Sequence, residues 1–164
     1  MSDHFIGVDV GTGSARAGVF DASGRLLATA KRDIDAHREA GGIVEQSSAQ
    51  IWSAVCAATR EALARAGTDP ASVRGLGFDA TCSLVVIGAG GASLAVGDPA
   101  HPERDVIVWM DHRAVDQAAR INAQGHGVLK YVGGAISPEM QTPKLLWLKE
   151  HRPGIYAAAE HFLD

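Results

Sequence analysis

The sequence predicts an α/β fold, a mixed sheet that opens with an antiparallel three-strand meander and carries helices on its flanks. Three observations lead there. Residues 5–30 hold three short apolar runs of β-branched, aromatic and small residues, separated by turn signals too brief to contain a helix. Residues 48–66 then repeat their apolar positions at helical spacing. Beyond them, apolar runs at 73–78, 84–87 and 106–109 are followed by segments of helical composition at 111–123 and 144–151, the pattern of strands covered by helices.

In chain order, Phe5, Ile6 and Val8 mark a first strand and Ala17, Val19 and Phe20 a second, with a polar knot, Asp9 to Arg16, between them. Asp21-Ala22-Ser23-Gly24 is a turn, and Leu26 to Ala30 a third strand. The polar, glycine-containing stretch from Asp35 to Gln46 reads as a connecting loop. A helix follows, with Ser47 or Ser48 as N-cap and Gly67 as its stop. Its apolar side includes Trp52 and Cys56, both read as core. Asp69-Pro70 begins a short turn, and Val73 to Phe78 is a fourth strand whose Gly75 and Gly77 suggest close backbone contacts. Leu84 to Ile87 is a strand ended by a glycine turn, and Val106 to Trp109 another that delivers Met110-Asp111-His112-Arg113. Asp111 is the expected N-cap of the next helix. Residues 136–143 are extended or turn-like, Pro143 enters the first turn of the helix at 144–151, and Pro153 starts one more short helix.

The knot decides between two glycine-loop chemistries. A dinucleotide-binding G-x-G-x-x-G needs a helix to begin inside the motif and aim its N-terminus at the pyrophosphate. Here Arg16 stands where the third glycine should be, and a strand follows. Gly11 and Gly13 can instead take the positive φ values that expose backbone N–H groups in a concave nest suited to anions. Thr12 and Ser14 add hydroxyl donors and Arg16 a fork matched to phosphate oxygens. Asp9 supplies the hard oxygen that Mg²⁺ takes through its waters. These features describe a Mg²⁺-phosphate cradle, with an ordinary hairpin, turned by its glycines and serine, as the open alternative.

Composition narrows the partners. A chain of 164 residues suits one domain with a sizeable core. Net charge −4 gives no basis for nucleic acid binding, and no apolar run approaches the roughly 20 residues that cross a bilayer, so neither nucleic acid nor membrane is expected as a partner. Two cysteines, Cys56 and Cys82, without a C-x-x-C pair or a signal-like N-terminus, fit a cytoplasmic protein with free thiols. The seven histidines are scattered without a zinc-ligand spacing.

Asp9-x-Gly11-Thr12-x-Ser14-x-Arg16 with Phe20-Asp21 resembles the first phosphate motif of the FGGY carbohydrate kinases, members of the actin-like, ribonuclease H-like ATPase superfamily. Gly77-Phe78-Asp79-Ala80-Thr81-Cys82-Ser83 resembles the sugar-site strand of the pentulose kinase branch, and Trp109-Met110-Asp111-His112-Arg113-Ala114 its W-x-D-x-R-A segment. Gly133-Gly134 with Ile136 to Leu148 resembles the segment that closes the sugar pocket. The likeness is strongest to D-ribulokinase-type members and covers most of the chain.

The resemblance implies a ribonuclease H-like domain and ATP-dependent phosphorylation of a ketopentose or related polyol, with ATP and Mg²⁺ as cofactors. It implies that Asp9 holds the metal, that Gly11, Thr12, Gly13, Ser14 and Arg16 bind ATP phosphates, and that Asp79, Thr81, Cys82, Asp111 and Glu139 line the sugar pocket. Asp79 and Asp111 also read as a turn acid and a helix cap, Thr81 and Cys82 as strand residues, and Arg113 and Lys144 as surface or dipole-balancing charges. Family members are longer and have two such domains, so residues 1–164 are expected to be an incomplete N-terminal domain without the C-terminal one. The family's catalytic Asp base is then expected beyond Asp164, no residue here being assigned catalysis, and turnover by this chain alone is expected to be weak or absent. A homo-oligomer or association with the C-terminal domain is expected. A non-catalytic sugar- or nucleotide-binding module and an actin-like interaction domain are the competing readings.

Overall fold

The computed structural model describes residues 3–164. It divides into two units, one made of residues up to Asp35 together with Ala49–Thr81, the other of Ala36–Ser48 and Cys82–Asp164.

In the first unit β1 (His4–Gly11), β2 (Ser14–Asp21) and β3 (Leu26–Asp33) form the antiparallel meander expected from their alternation. After a helix, β6 (Val73–Ala80) returns parallel to β1, giving the order β3-β2-β1-β6 and the predicted mixed sheet. The β2–β3 turn is tied by Asp21, whose carboxylate accepts from the Ser23 hydroxyl, the Arg25 and Ser23 backbone N–H groups and the Arg25 side chain. Those bonds, the Ser23 hydroxyl first, hold its pKa down at about 2. Gly24 closes the turn at φ 83°, a left-handed conformation that favours glycine.

Helix α1 (Ser48–Ala66) ends where Gly67, at φ 61°, reverses the chain. The N–H groups of Gly67 and Thr68 donate to the carbonyls of Ala64 and Leu63, the Schellman pattern that satisfies the last turn. Ala54, Val55, Ala58 and Ala62 pack on Ile6, Val8, Ala15, Ala17 and Val19 of the sheet. Trp52 does not join them and is 62% exposed. It follows Ile51 by one residue and so lies about 100° around the helix from that contact line. Cys56 is half-buried. Gly75 does sit close to its neighbour, a Cβ there falling 3.4 Å from Phe5 Cδ1, whereas nothing approaches within 4 Å of a Cβ at Gly77.

The second unit departs further from expectation. Residues read as loop form a hairpin, β4 (His37–Glu39) and β5 (Ile43–Gln46), turned by Gly41 and Gly42 at φ 81° and 78°. With β7 (Leu84–Gly88), β8 (Val106–Ile107) and β9 (Ala159–Leu163) they make an antiparallel sheet ordered β4-β5-β8-β7-β9. Polar composition hid β5 because Glu45 and Gln46 are buried beside β8, where Arg113, far along the chain, pairs with Glu45. Strand β9, also unforeseen, pairs with β7 from Val85↔Leu163 to Gly88↔Ala159. β8 is shorter than predicted, and Val108 and Trp109 leave it.

Helix α2 (Val115–Ala123) starts later than Asp111 would set as its N-cap, since that carboxylate is turned inward. α3 (Gln141–His151) carries Pro143 in its first turn as expected, and α4 (Pro153–Ala158) begins at proline. Leu84, Val86, Val96, Ile107 and Leu148 form the core of this unit. Among the described residues no helix is long and apolar enough to cross a membrane.

Candidate functional site

The hairpin loop places its polar groups by strand register. Asp9 lies opposite Arg16 on β2 and opposite Asp79 on β6, so three charged side chains share one rung of the sheet. Arg16 Nη2 is 3.1 Å from Asp9 Oδ2, and both side chains are about half exposed. All three line one trough of about 550 Å³, which also includes Gly7, Gly18 and Gly77. The three glycines form the neighbouring rung, two residues before Asp9 on β1.

Neither Gly11 nor Gly13 has a positive φ, so the loop does not build the left-handed nest expected of it. Their contribution is room. A Cβ at Gly11 would lie 3.4 Å from Arg16 Nη2, and the space around Gly13 is open to 4 Å. Thr12 is half-buried, and Ser14, the other expected hydroxyl donor, is 8% exposed. Asp9 and Asp79 together present two hard carboxylates on one side of the sheet, a donor set that fits a hydrated Mg²⁺, while Arg16 beside them suits an anion.

The residues expected at a sugar pocket fall on both units. Asp79 is exposed near the end of β6, and the Thr81 N–H donates to the Val10 carbonyl at 3.0 Å. In the second unit Cys82 and Glu139 line a pocket of about 270 Å³ with Trp109, Ser137, Met140 and Gln141. Glu139 Oε1 is 3.1 Å from His112 Nε2. Composition does not single out Trp109 or Gln141 for this role; the pocket forms only because the residues after β8 and the start of α3 meet.

Asp111, placed by resemblance beside the sugar, is fully buried. Its Oδ2 accepts from the Val44 N–H at 2.6 Å and from Arg113 Nη2 at 2.8 Å, and its Oδ1 accepts from Arg113 N and Nε, both at 2.9 Å. Arg113 also donates to Glu45 Oε1 at 2.8 Å and lies 4.9 Å over the Trp147 ring. Burial alone would lower the Arg113 pKa, but the bonds to Asp111 and then Glu45 outweigh it and raise it above its ordinary value. Neither Arg113 nor Lys144 is the surface charge expected from the sequence: the Arg113 side chain is 2% exposed and Lys144 1%. Lys144 Nζ donates to the carbonyls of Val108 and Trp109, both at 2.9 Å. Burial pushes its pKa down from 10.5 to about 8, against the opposing pull of Asp111 and Cys82. One signal for its burial is present in the sequence, its place in the run Pro143-Lys144-Leu145-Leu146-Trp147.

Gly97 is what lets Glu45 into this network. A Cβ there would lie 2.8 Å from Glu45 Cδ, so Gly97→Ala displaces the carboxylate from Arg113. The expected cost is about 1–3 kcal/mol, seen as a melting temperature lowered by roughly 2–4 °C per kcal/mol. A variant melting with the wild type would show that Glu45 is not held as described.

A mixed sheet bearing a charged hairpin loop, with flanking helices, is a fold that this chain shares with solved structures. It superposes on the crystal structure of xylulose kinase from Rhodospirillum rubrum with a TM-score of 0.82 over 98% of this chain and 32% of that one, at 24% identity. The chain belongs to the FGGY family of carbohydrate kinases, whose N-terminal domain matches residues 4–164. It is 47% identical over 161 residues to D-ribulokinase of Saccharomyces cerevisiae, covering 96% of this chain and 22% of that protein. It is 50% identical over 162 residues to the FGGY carbohydrate kinase domain-containing protein of Homo sapiens, covering 98% and 29%. The chain thus spans less than a third of the length of these curated relatives.

Proposed function

We propose that this chain supplies one wall of the ATP site and part of the sugar pocket of a kinase that phosphorylates a ketopentose, with D-ribulose as the first candidate. The observation that carries this reading is the rung Arg16–Asp9–Asp79, which sets an anion-binding guanidinium on one side of Asp9 and a second carboxylate on the other, all three on one trough. The identity to a D-ribulokinase directs the choice of sugar.

Phosphoryl transfer depends chiefly on positioning and charge neutralisation. In this reading Mg²⁺, when bound, offsets phosphate charge. Asp9 would hold it, and Arg16, now beside Asp9, would offer its fork to phosphate oxygens. Gly11, Thr12, Gly13 and Ser14 form the loop against which the phosphates lie. In the second unit Cys82 and Glu139 contribute sugar contacts, and Asp111 acts from inside by holding the Arg113 segment. No residue of this chain is assigned as the base that takes the sugar proton.

The test is calorimetry of Mg-ATP with the chain and with Arg16→Ala, alongside a coupled ADP-release assay with D-ribulose and D-xylulose. Removing a charge-assisted bond worth about 1.5–3 kcal/mol is expected to weaken Mg-ATP binding roughly 10–100-fold while circular dichroism stays unchanged. Little or no sugar-dependent turnover is expected from the 164 residues alone. Equal Mg-ATP affinity in the two proteins would overturn the assignment of Arg16. Tight binding of one sugar without turnover would favour a non-catalytic binding module.

A further inference from the structure

Trp109 stands at a point where the backbone has left β8, and both of its backbone polar groups are taken by side chains. Its N–H donates to Ser83 Oγ at 3.1 Å. Its carbonyl accepts from Lys144 Nζ at 2.9 Å, and the same ammonium holds the preceding carbonyl of Val108. Ser83 is 7% exposed and Lys144 1%. Both lie behind the pocket wall: Cys82, Trp109 and Glu139 line the cavity, and Ser83 and Lys144 do not.

A buried lysine is costly in an apolar setting and is normally paired with a carboxylate. Lys144 spends its donors on two successive carbonyls instead, which locks the direction of two peptide planes. A hydroxyl on the opposite side completes the clamp. The two side chains come from segments sixty-one positions apart, Ser83 just before β7 and Lys144 in the first turn of α3, so the clamp also ties the Trp109 wall to the Glu139–Gln141 wall that α3 begins.

We propose that Ser83 and Lys144 are positioning residues that fix Trp109 as the wall of the Cys82–Glu139 pocket, setting the pocket's shape without touching its ligand. That this pocket takes a sugar rests on the function proposed above; that the clamp sets Trp109 does not.

The experiment is fluorine NMR of the chain labelled with 5-fluorotryptophan, the Trp109 line being assigned with Trp109→Phe and the Trp52 line, from the first unit, serving as control. In Ser83→Ala and in Lys144→Met the Trp109 line is expected to shift and broaden or split while Trp52 keeps its line, and Ser83→Thr, which retains the hydroxyl, restores a single sharp line. If Lys144→Met does not fold, Ser83→Ala and its rescue decide. A Trp109 line unchanged in folded Ser83→Ala, or one that Ser83→Thr fails to restore, would overturn the proposal. Titration with D-ribulose adds the second arm: about a tenfold loss of affinity in Ser83→Ala, comparable to one lost hydrogen bond. Absence of D-ribulose binding by the wild-type chain counts against the sugar reading alone, because the fluorine arm judges the clamp without a ligand.

Discussion

Replacing Arg113 with leucine is expected to destabilise the chain by about 3–5 kcal/mol, a large part of the roughly 5–15 kcal/mol that holds a domain of this size. The reason is what the substitution leaves behind. Asp111 and Glu45 are both buried, and Arg113 is the cation that donates to each of them. Without it, two carboxylates face each other inside the unit, and the Asp111 bond to the Val44 N–H no longer has a balancing charge. Lysine is no substitute, because a single ammonium does not reproduce a planar fork that reaches Asp111 Oδ1 through Nε, Asp111 Oδ2 and Glu45 through Nη2, and the Trp147 ring with its face. Urea denaturation read by circular dichroism checks this. A Leu variant whose midpoint stays at the wild-type value would show the network to be dispensable. Replacing Glu45, Asp111 and Arg113 together by apolar residues of similar volume is expected to cost less than Arg113→Leu alone, since no buried charge is then left unpaired.

Lys144 is expected to make stability rise with pH between about 8 and 10.5. Below that window the ammonium is charged in the folded and unfolded chains alike, and the fold bears the full cost of burying it. Within it, the folded chain has released a proton that the unfolded chain still holds, so the unfolded state binds more protons and stability increases with pH. Above it the amine is neutral in both states. The geometry accommodates the loss, because a neutral amine has two N–H donors and Lys144 has two carbonyl acceptors. Relative to Lys144→Met, the wild type is expected to gain on the order of 1–3 kcal/mol across this range, the lower part of the span allowing for solvent screening. The comparison is best made with Cys82→Ser in both proteins, which removes the neighbouring thiol whose charge acts on Lys144. Parallel pH profiles for the two proteins would mean that Lys144 does not change its charge on folding in this way.

Much of the first unit was legible because its instructions are local. The meander follows from alternation within each strand, α1 from the spacing of its apolar positions and from Gly67, and the β2–β3 turn from Asp21 and Gly24. The charged rung was half legible. The Asp9, Thr12 and Arg16 cluster stands out in the sequence as a candidate anion and cation site, but only the pairing of β1 with β6 brings Asp79 level with Asp9. The start of α1 also draws on the rest of the chain: Ser48, one of the two serines expected to cap it, gives its own N–H and hydroxyl to buried Asp105, 57 residues away.

What the sequence by itself determined is the mixed sheet of the first unit, its hairpin loop, the helices and the family to which the chain belongs, since these rest on periodicity, turn chemistry and ordered motifs. Tertiary structure alone decided the fate of the charges. In sequence Glu45 falls in a polar loop, Asp111 reads as a pocket or helix-cap residue, and Arg113 and Lys144 as surface or dipole-balancing charges, because their polarity argues for water. They are buried because each finds its complement in a distant segment, a guanidinium for two carboxylates and two carbonyls for an ammonium. No local pattern records such a match, since the low cost of burying each group exists only once its partner is already in place.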